Sequence, residues 1–335
     1  MLAEMNQKNE GRNYLFDNIR GILIFLVVMG HLLRHEMGVS NFIKAIYFFI
    51  YLFHMPAFIF ITGYFSKHID KCRRKAVQGF FLPYIVINTF FWGYEKFILR
   101  GEHEAFRVLT PQWGMWFFLA VFVWKMLLTD FVRIRFILPL SIAVGLLSGY
   151  SSEFGSKLSL ARILAFLPFF LLGFYMNETH IDKIRKIPKF ICSLIIVCYA
   201  GISYVVVRKD IFSMGNFYMK ECYDNLTNVM ISGVFTRMYI YVSATIITFC
   251  LINLLSTKKT FLSTIGKNSI TVYVIHLFII MNLDEIELPW SGTKLYLLFA
   301  LVAAALISYV CSRHFVLSIY NYLMNGITTI FIKDK

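Results

Sequence analysis

Charge is what this sequence has least of: 16% of its 335 residues are Asp, Glu, Lys or Arg, against about 25% in ordinary soluble domains. No polar stretch is long enough to fold as an appended soluble domain, and no internal repeat or low-complexity tract is visible. The six cysteines follow neither a disulfide framework nor a metal-ligand spacing. Cys192, Cys198, Cys250 and Cys311 lie in apolar runs, Cys72 in a basic segment and Cys222 in a long polar connection. A disulfide-stapled secreted domain and a zinc module are thereby excluded, and no metal is expected. No small-residue cleavage site follows the first apolar run, so that run reads as a retained helix and not a secretory leader.

What is abundant is apolar surface: 58% hydrophobic residues and a mean hydropathy of +0.66. Crossing a bilayer takes roughly 20 apolar residues, with every backbone polar group satisfied inside the segment. Runs of that kind recur near Asn18–Leu33, Phe42–Ser66, Val77–Leu99, Trp113–Thr129, Arg135–Gly149, Leu160–Met176, Phe190–Val207, Phe235–Leu255, Ser269–Leu283 and Lys294–Val316. They are continuous rather than alternating, which favours helices over barrel strands. The expectation is an all-α, polytopic integral membrane protein with about ten transmembrane helices. Residues 1–13 read as a cytoplasmic N-terminal tail and 14–335 as a single transmembrane domain.

The formal net charge of +14 would suggest nucleic acid in a soluble chain, but here its distribution between loops carries the information, and no nucleic-acid partner is expected. With the N-terminus inside, one set of connections holds Lys67, Lys71, Arg73, Arg74, Lys75, Lys125, Arg133, Arg135, Lys183, Arg185, Lys186, Lys189, Lys258, Lys259 and Lys267. The opposite set, including Arg34, Lys44, Arg162, Arg208, Lys209, Lys220 and Arg237, is sparser and mixed with acids such as Glu153 and Glu221. This bias predicts both termini in the cytoplasm.

Ionisable groups inside spans are costly and point to function. His31 lies eleven residues after Arg20, which returns to within ~20° of the same helix face after a rise of ~16 Å. Asp17 sits one turn before Arg20 and can pair with it. His54, on the second helix, has a depth that lets it share a cavity with His31, and His276 on the ninth is a third candidate lining group. A buried imidazole can also serve only to hold neighbouring helices by hydrogen bonding. Lys71, Arg73, Arg74 and Lys75 read either as orientation signals that attract anionic lipid or as contacts for a phosphate-rich cytosolic donor. Trp113 and Trp116 read as an interfacial aromatic belt or as a stacking platform for sugar rings.

The run Asp17-Asn18-Ile19-Arg20 leading to Gly30-His31 resembles the opening helix of the membrane acyltransferase-3 family, with its Arg-x10-His spacing. The resemblance extends through Phe53-His54-Met55-Pro56, Thr62-Gly63-Tyr64, Leu82-Pro83-Tyr84, Trp116-Phe117-Phe118-Leu119, Leu167-Pro168-Phe169-Phe170 and Gly266-Lys267-Asn268-Ser269, on to Tyr273 and His276. It is closest in flavour to the fucose 4-O-acetylase-like branch. Where the family often has Arg-x-x-Arg, this sequence has Lys71-x-x-Arg74.

The resemblance implies transfer of an acyl group, usually acetyl, from cytosolic acetyl-CoA or another acyl-CoA to a hydroxyl of an envelope, capsular or exopolysaccharide glycan. It also implies a multi-pass location in the plasma membrane of a bacterial cell. In that scheme His31, Arg20, Asp17 and His54 are the catalytic candidates, and Lys71, Arg73, Arg74 and Lys75 contact the donor. Trp113, Trp116, Tyr273 and His276 contact the acceptor. Lipid is a constant partner, and small residues on many helices leave room for a homo-oligomer. A proton-coupled transporter or flippase of a glycan or small metabolite is the competing class, since buried histidines suit proton coupling too.

Overall fold

The computed structural model describes residues 12–99, 108–155, 157–225, 230–283, 286 and 291–331. Residues 1–11 of the expected cytoplasmic tail lie outside the described residues. Helices account for all regular structure among the described residues: α1 (Tyr14–Leu33), α2 (Asn41–Tyr64), α3 (Ile69–Ala76), α4 (Leu82–Phe97), α5 (Trp116–Phe131), α6 (Ile137–Leu147), α7 (Leu160–Tyr175), α8 (Glu178–Arg185), α9 (Lys189–Arg208), α10 (Gly215–Tyr218), α11 (Met230–Leu254), α12 (Phe261–Lys267), α13 (Ser269–Leu283), α14 (Leu295–Cys311) and α15 (His314–Phe331).

Each apolar run read from the sequence is helical, but not each is one straight rod. Among the described residues six stretches are long and apolar enough to cross a bilayer: Tyr14–Glu36, Asn41–Tyr64, Ile69–Phe97, Trp113–Phe131, Lys189–Arg208 and Ser232–Leu254. Three more qualify as bent pairs, α7 with α8 (94°), α12 with α13 (78°) and α14 with α15 (60°), and Ile137–Tyr150 is shorter. The segment expected to be a basic loop is itself helical, because α3 runs through a π-helical turn at Val77–Phe81 into α4. Pro83 has no N–H to offer the preceding turn, and the Leu82 N–H reaches back five residues to the Val77 carbonyl. The expected tenth run, Lys294–Val316, is divided at Ser312–Arg313.

Bends free carbonyls, and an apolar medium leaves no water to satisfy them. At the α14/α15 break the side chains of Asn268 and Thr271, from the start of α13, donate to the carbonyls of Ser312 (2.6 Å) and Cys311 (2.8 Å). At the end of α7, Lys67 donates to the carbonyls of Phe174 and Met176, with its ammonium 4.7 Å from the Tyr64 ring centre. Burial draws the Lys67 pKa down, and Glu178 opposes that shift. At the end of α8, Asn253 donates to the carbonyls of Ile184 (2.9 Å) and, just past it, Ile187 (2.8 Å).

α1 is the central element, packed against α2, α12, α13 and α14. Asn13 caps its start, and two backbone approaches fix its neighbours. A Cβ at Gly266 of α12 would strike the Asp17 carbonyl, and one at Gly21 would strike the Leu262 carbonyl. Gly63 of α2 and Gly173 of α7 approach in the same reciprocal way, against the carbonyls of Phe170 and Phe60. Without a hydrophobic drive between helices in lipid, such close packing supplies much of the association. Gly173→Ala is therefore expected to destabilise the bundle by about 1–3 kcal/mol, read as a lower thermal midpoint of the purified protein in lipid.

Candidate functional site

Two cavities lie along α1, one at the level of Arg20 and one at the level of His31. The first, of about 150 Å³, is lined by Arg20, Ile24, Thr62, Phe80 and Phe117, among others. The second, of about 300 Å³, is lined by His31, Arg34, Tyr51, His54, Trp113, Trp116 and Arg162, among others. Met55 and Tyr273 line both. The shared stripe of Arg20 and His31 thus carries one residue into each cavity.

Asp17 is buried on α1 and stands between two guanidiniums, 2.5 Å from Arg12 Nε and 3.5 Å from Arg20 Nη1. Arg20 also lies 4.7 Å from the ring centre of Phe65. The contact from Arg12 was missed in the sequence because that residue sits in the polar segment before the helix. Lys125, assigned above to an inner connection, is inside α5, and its ammonium lies 4.6 Å from the centre of the Phe80 ring. Phe80 belongs to the π-helical turn and lines the Arg20 cavity.

The basic residues on α3 separate by face. Lys71 and Arg74, one turn apart, line a surface groove with Lys67, His68 and Asp70, whereas Arg73 and Lys75 do not. α3 packs on α5, so this groove and Lys125 share one support.

In the larger cavity, His31 and His54 line the same space. His54 donates from Nδ1 to the Ile50 carbonyl at 2.8 Å and meets the Tyr51 ring edge-on at 4.7 Å. A carbonyl can only accept, so Nδ1 carries the proton and Nε2 of His54 is the accepting nitrogen. His276 is fully buried and is not among the described residues of the cavity lining. It stands behind His31, ring centres 5.3 Å apart, and its Nδ1 donates to the Val272 carbonyl at 2.8 Å. His276 Nε2 is therefore an acceptor. It and His31 Nδ1 are both buried with no hydrogen-bond partner among the described residues.

Trp113 has φ +47°, a left-handed conformation costly for a bulky residue. Its indole N–H donates to Glu95 at 3.0 Å. Next to it, Gly114 has room for Tyr273, whose hydroxyl donates to the Gly114 carbonyl at 2.6 Å. Trp116 stacks on Phe166 at 5.2 Å and carries the Arg162 guanidinium 4.9 Å from its ring centre. Arg34, Arg162 and Lys220 were not singled out as site residues from the sequence, where they were three charges of an outer set with no periodicity to join them. All three line the larger cavity. Among the described residues no group of three or more His, Cys, Asp or Glu could hold a metal ion.

The model of an acyltransferase domain matches residues 13–313 of the chain. The chain belongs to the acyltransferase-3 family. This acyltransferase is similar to nodulation protein NolL of Sinorhizobium fredii, 26% identical over 326 residues that span 88% of this chain and 86% of that one. It is also similar to nodulation protein NolL of Mesorhizobium japonicum, 30% identical over 187 residues, covering 50% of this chain and 48% of that one. No solved structure matches it. Family and apolar helices together make it a multi-pass membrane acyltransferase.

Proposed function

We propose that this acyltransferase moves an acetyl or other acyl group from cytosolic acyl-CoA to a hydroxyl of an envelope, capsular or exopolysaccharide glycan. In this reading the chain crosses the plasma membrane of a bacterial cell about ten times with both termini inside, and it belongs with the fucose 4-O-acetylase-like branch. The observation that carries the reading is the pair of cavities on α1, one holding Arg20 and the other His31 and His54, divided by Met55 and Tyr273. A donor from one side and an acceptor from the other then meet beside a single helix.

Acyl transfer to an alcohol needs a base for the hydroxyl proton. His31 takes that role. In this scheme His31 carries its proton on Nδ1, which a small ring movement can join to the acceptor nitrogen of His276 behind it, and presents a bare Nε2 to the hydroxyl. The sugar oxygen attacks the thioester carbonyl, the C–S bond breaks, and the proton held by His31 passes to the departing CoA sulfur. Arg20, oriented by Asp17, positions the acyl end of the donor, while Lys71 and Arg74 take CoA phosphates on the α3 groove.

Lys71→Gln with Arg74→Gln is expected to raise the KM for acyl-CoA about tenfold with kcat little changed. Arg73→Gln with Lys75→Gln, off the groove, is expected to change it less. The proposal as a whole is tested with purified protein in lipid, labelled acetyl-CoA and envelope glycan fractions. Label entering glycan in proportion to CoA release supports it; absence of both CoA binding and label transfer with every acceptor overturns it.

A further inference from the structure

The larger cavity is cationic in a way that base catalysis alone does not require. Arg34 and Lys220, both exposed, and the half-buried Arg162 line it, reaching it from three separate parts of the chain. The nearby acids are engaged elsewhere. Glu221 pairs with Lys220 at 3.4 Å, Glu95 accepts the Trp113 indole N–H, and Glu36 is buried and accepts the Gly292 N–H at 2.9 Å. No Asp or Glu belongs to the described lining. Glu221, set against Lys220, also offsets part of the Arg162 charge, yet among the described residues three cations and no acid line the cavity, which leaves it a net positive charge.

Both guanidiniums are held in place. Arg162 donates from Nε to the Tyr218 carbonyl at 3.1 Å and lies over Trp116, which leaves its terminal nitrogens for a ligand. Arg34 lies 5.6 Å from the Trp113 ring centre, and Trp113 is itself fixed by Glu95 and by its left-handed backbone. On the proposed topology these residues sit on the face where Lys and Arg are normally depleted. Two cations anchored on aromatic rings at the mouth of a small cavity suit a ligand that offers one anionic group and one ring.

We infer that Arg34 and Arg162, with Lys220 at the rim, form a subsite for an anionic group, a phosphate ester or a carboxylate, carried by the acceptor saccharide. The inference rests on this cavity being the acceptor site. It adds that a neutral sugar is a poorer acceptor than the same sugar bearing an anion, and that the anion fixes which hydroxyl faces His31.

Purified protein in neutral-lipid nanodiscs is titrated with glucose, glucose 1-phosphate and glucuronic acid, and acetyl-CoA binding is measured separately. At least about tenfold tighter binding of one or both anionic sugars than of glucose is expected, weakening as salt rises. A preference for the phosphate identifies phosphate-linked acceptors, and a preference for the carboxylate identifies uronic acids. Arg34→Gln, at an exposed position, and Arg162→Gln are each expected to erase most of the preference while acetyl-CoA binding persists. Equal affinity for the three sugars, absence of any sugar binding, or an undiminished preference in both variants overturns the inference. So does loss of acetyl-CoA binding in these variants with sugar preference intact, which would assign the cations to the donor. Failure of acetyl-CoA to bind the wild-type protein strikes the acyltransfer scheme and leaves the sugar comparison readable.

Discussion

His31→Ala is expected to lower acyl transfer to glycan by about 10²–10⁴-fold, the usual contribution of a positioned general base, while acyl-CoA still binds. The two effects separate because His31 lines the larger cavity and Arg20 the smaller one, eleven residues earlier on the same helix. The measurement is label transfer from acetyl-CoA, beside donor binding by equilibrium titration, at matched expression and thermal midpoint. Unchanged transfer in the variant would remove His31 from the chemistry. An acyl-protein trapped on acid quench, and absent from the variant, would make His31 a nucleophile that carries the acyl group between two steps. Its absence in the wild type would assign direct transfer.

The second large effect is expected at His276, which is fully buried outside the described lining of the cavity. His276 donates to the Val272 carbonyl, so its other ring nitrogen is an acceptor lying behind His31. A small movement of either ring joins His31 Nδ1 to it and fixes the reactive tautomer, the service an orienting group renders to a catalytic histidine elsewhere. His276→Ala is expected to lower kcat about 10–10³-fold with little change in the KM of either substrate. His276→Gln, which places an acceptor oxygen near the lost nitrogen, is expected to recover part of that loss. A fall in kcat/KM matched by a fall in thermal stability, with no recovery by glutamine, would reduce His276 to packing.

Most of the helical plan was legible in the sequence because it rests on local composition: apolar runs of bilayer length and bases clustered between them. The stripe joining Arg20 to His31 was legible too, since helical geometry relates residues on one element without any knowledge of the others. What could not be read is what separate elements do when they converge. His276 carries the same residue type at a similar depth as a lining residue, yet the packing of α13 against α1 turns it behind His31. Arg34 and Arg162 come together only through the fold. The bends at Ser312 and at Met176 depend on side chains of α13 and on Lys67, far away in the chain, taking the freed carbonyls. The helical character of α3 was hidden because its charge density reads as a loop.

The wall between the two cavities is thin, with Met55 and the hydroxyl-anchored Tyr273 touching both sides. A protein wet from both faces at the level of one helix is close to being a pore. In an energised membrane each elementary charge that crosses 100 mV dissipates about 2.3 kcal/mol, so in the proposed scheme this wall would serve as electrical insulation as well as a partition between substrates. A large aromatic ring held by one hydrogen bond, beside a flexible thioether, can yield to a passing acyl chain and close behind it. On the proposed scheme, an enzyme built this way admits a reactant through the membrane's permeability barrier without short-circuiting it.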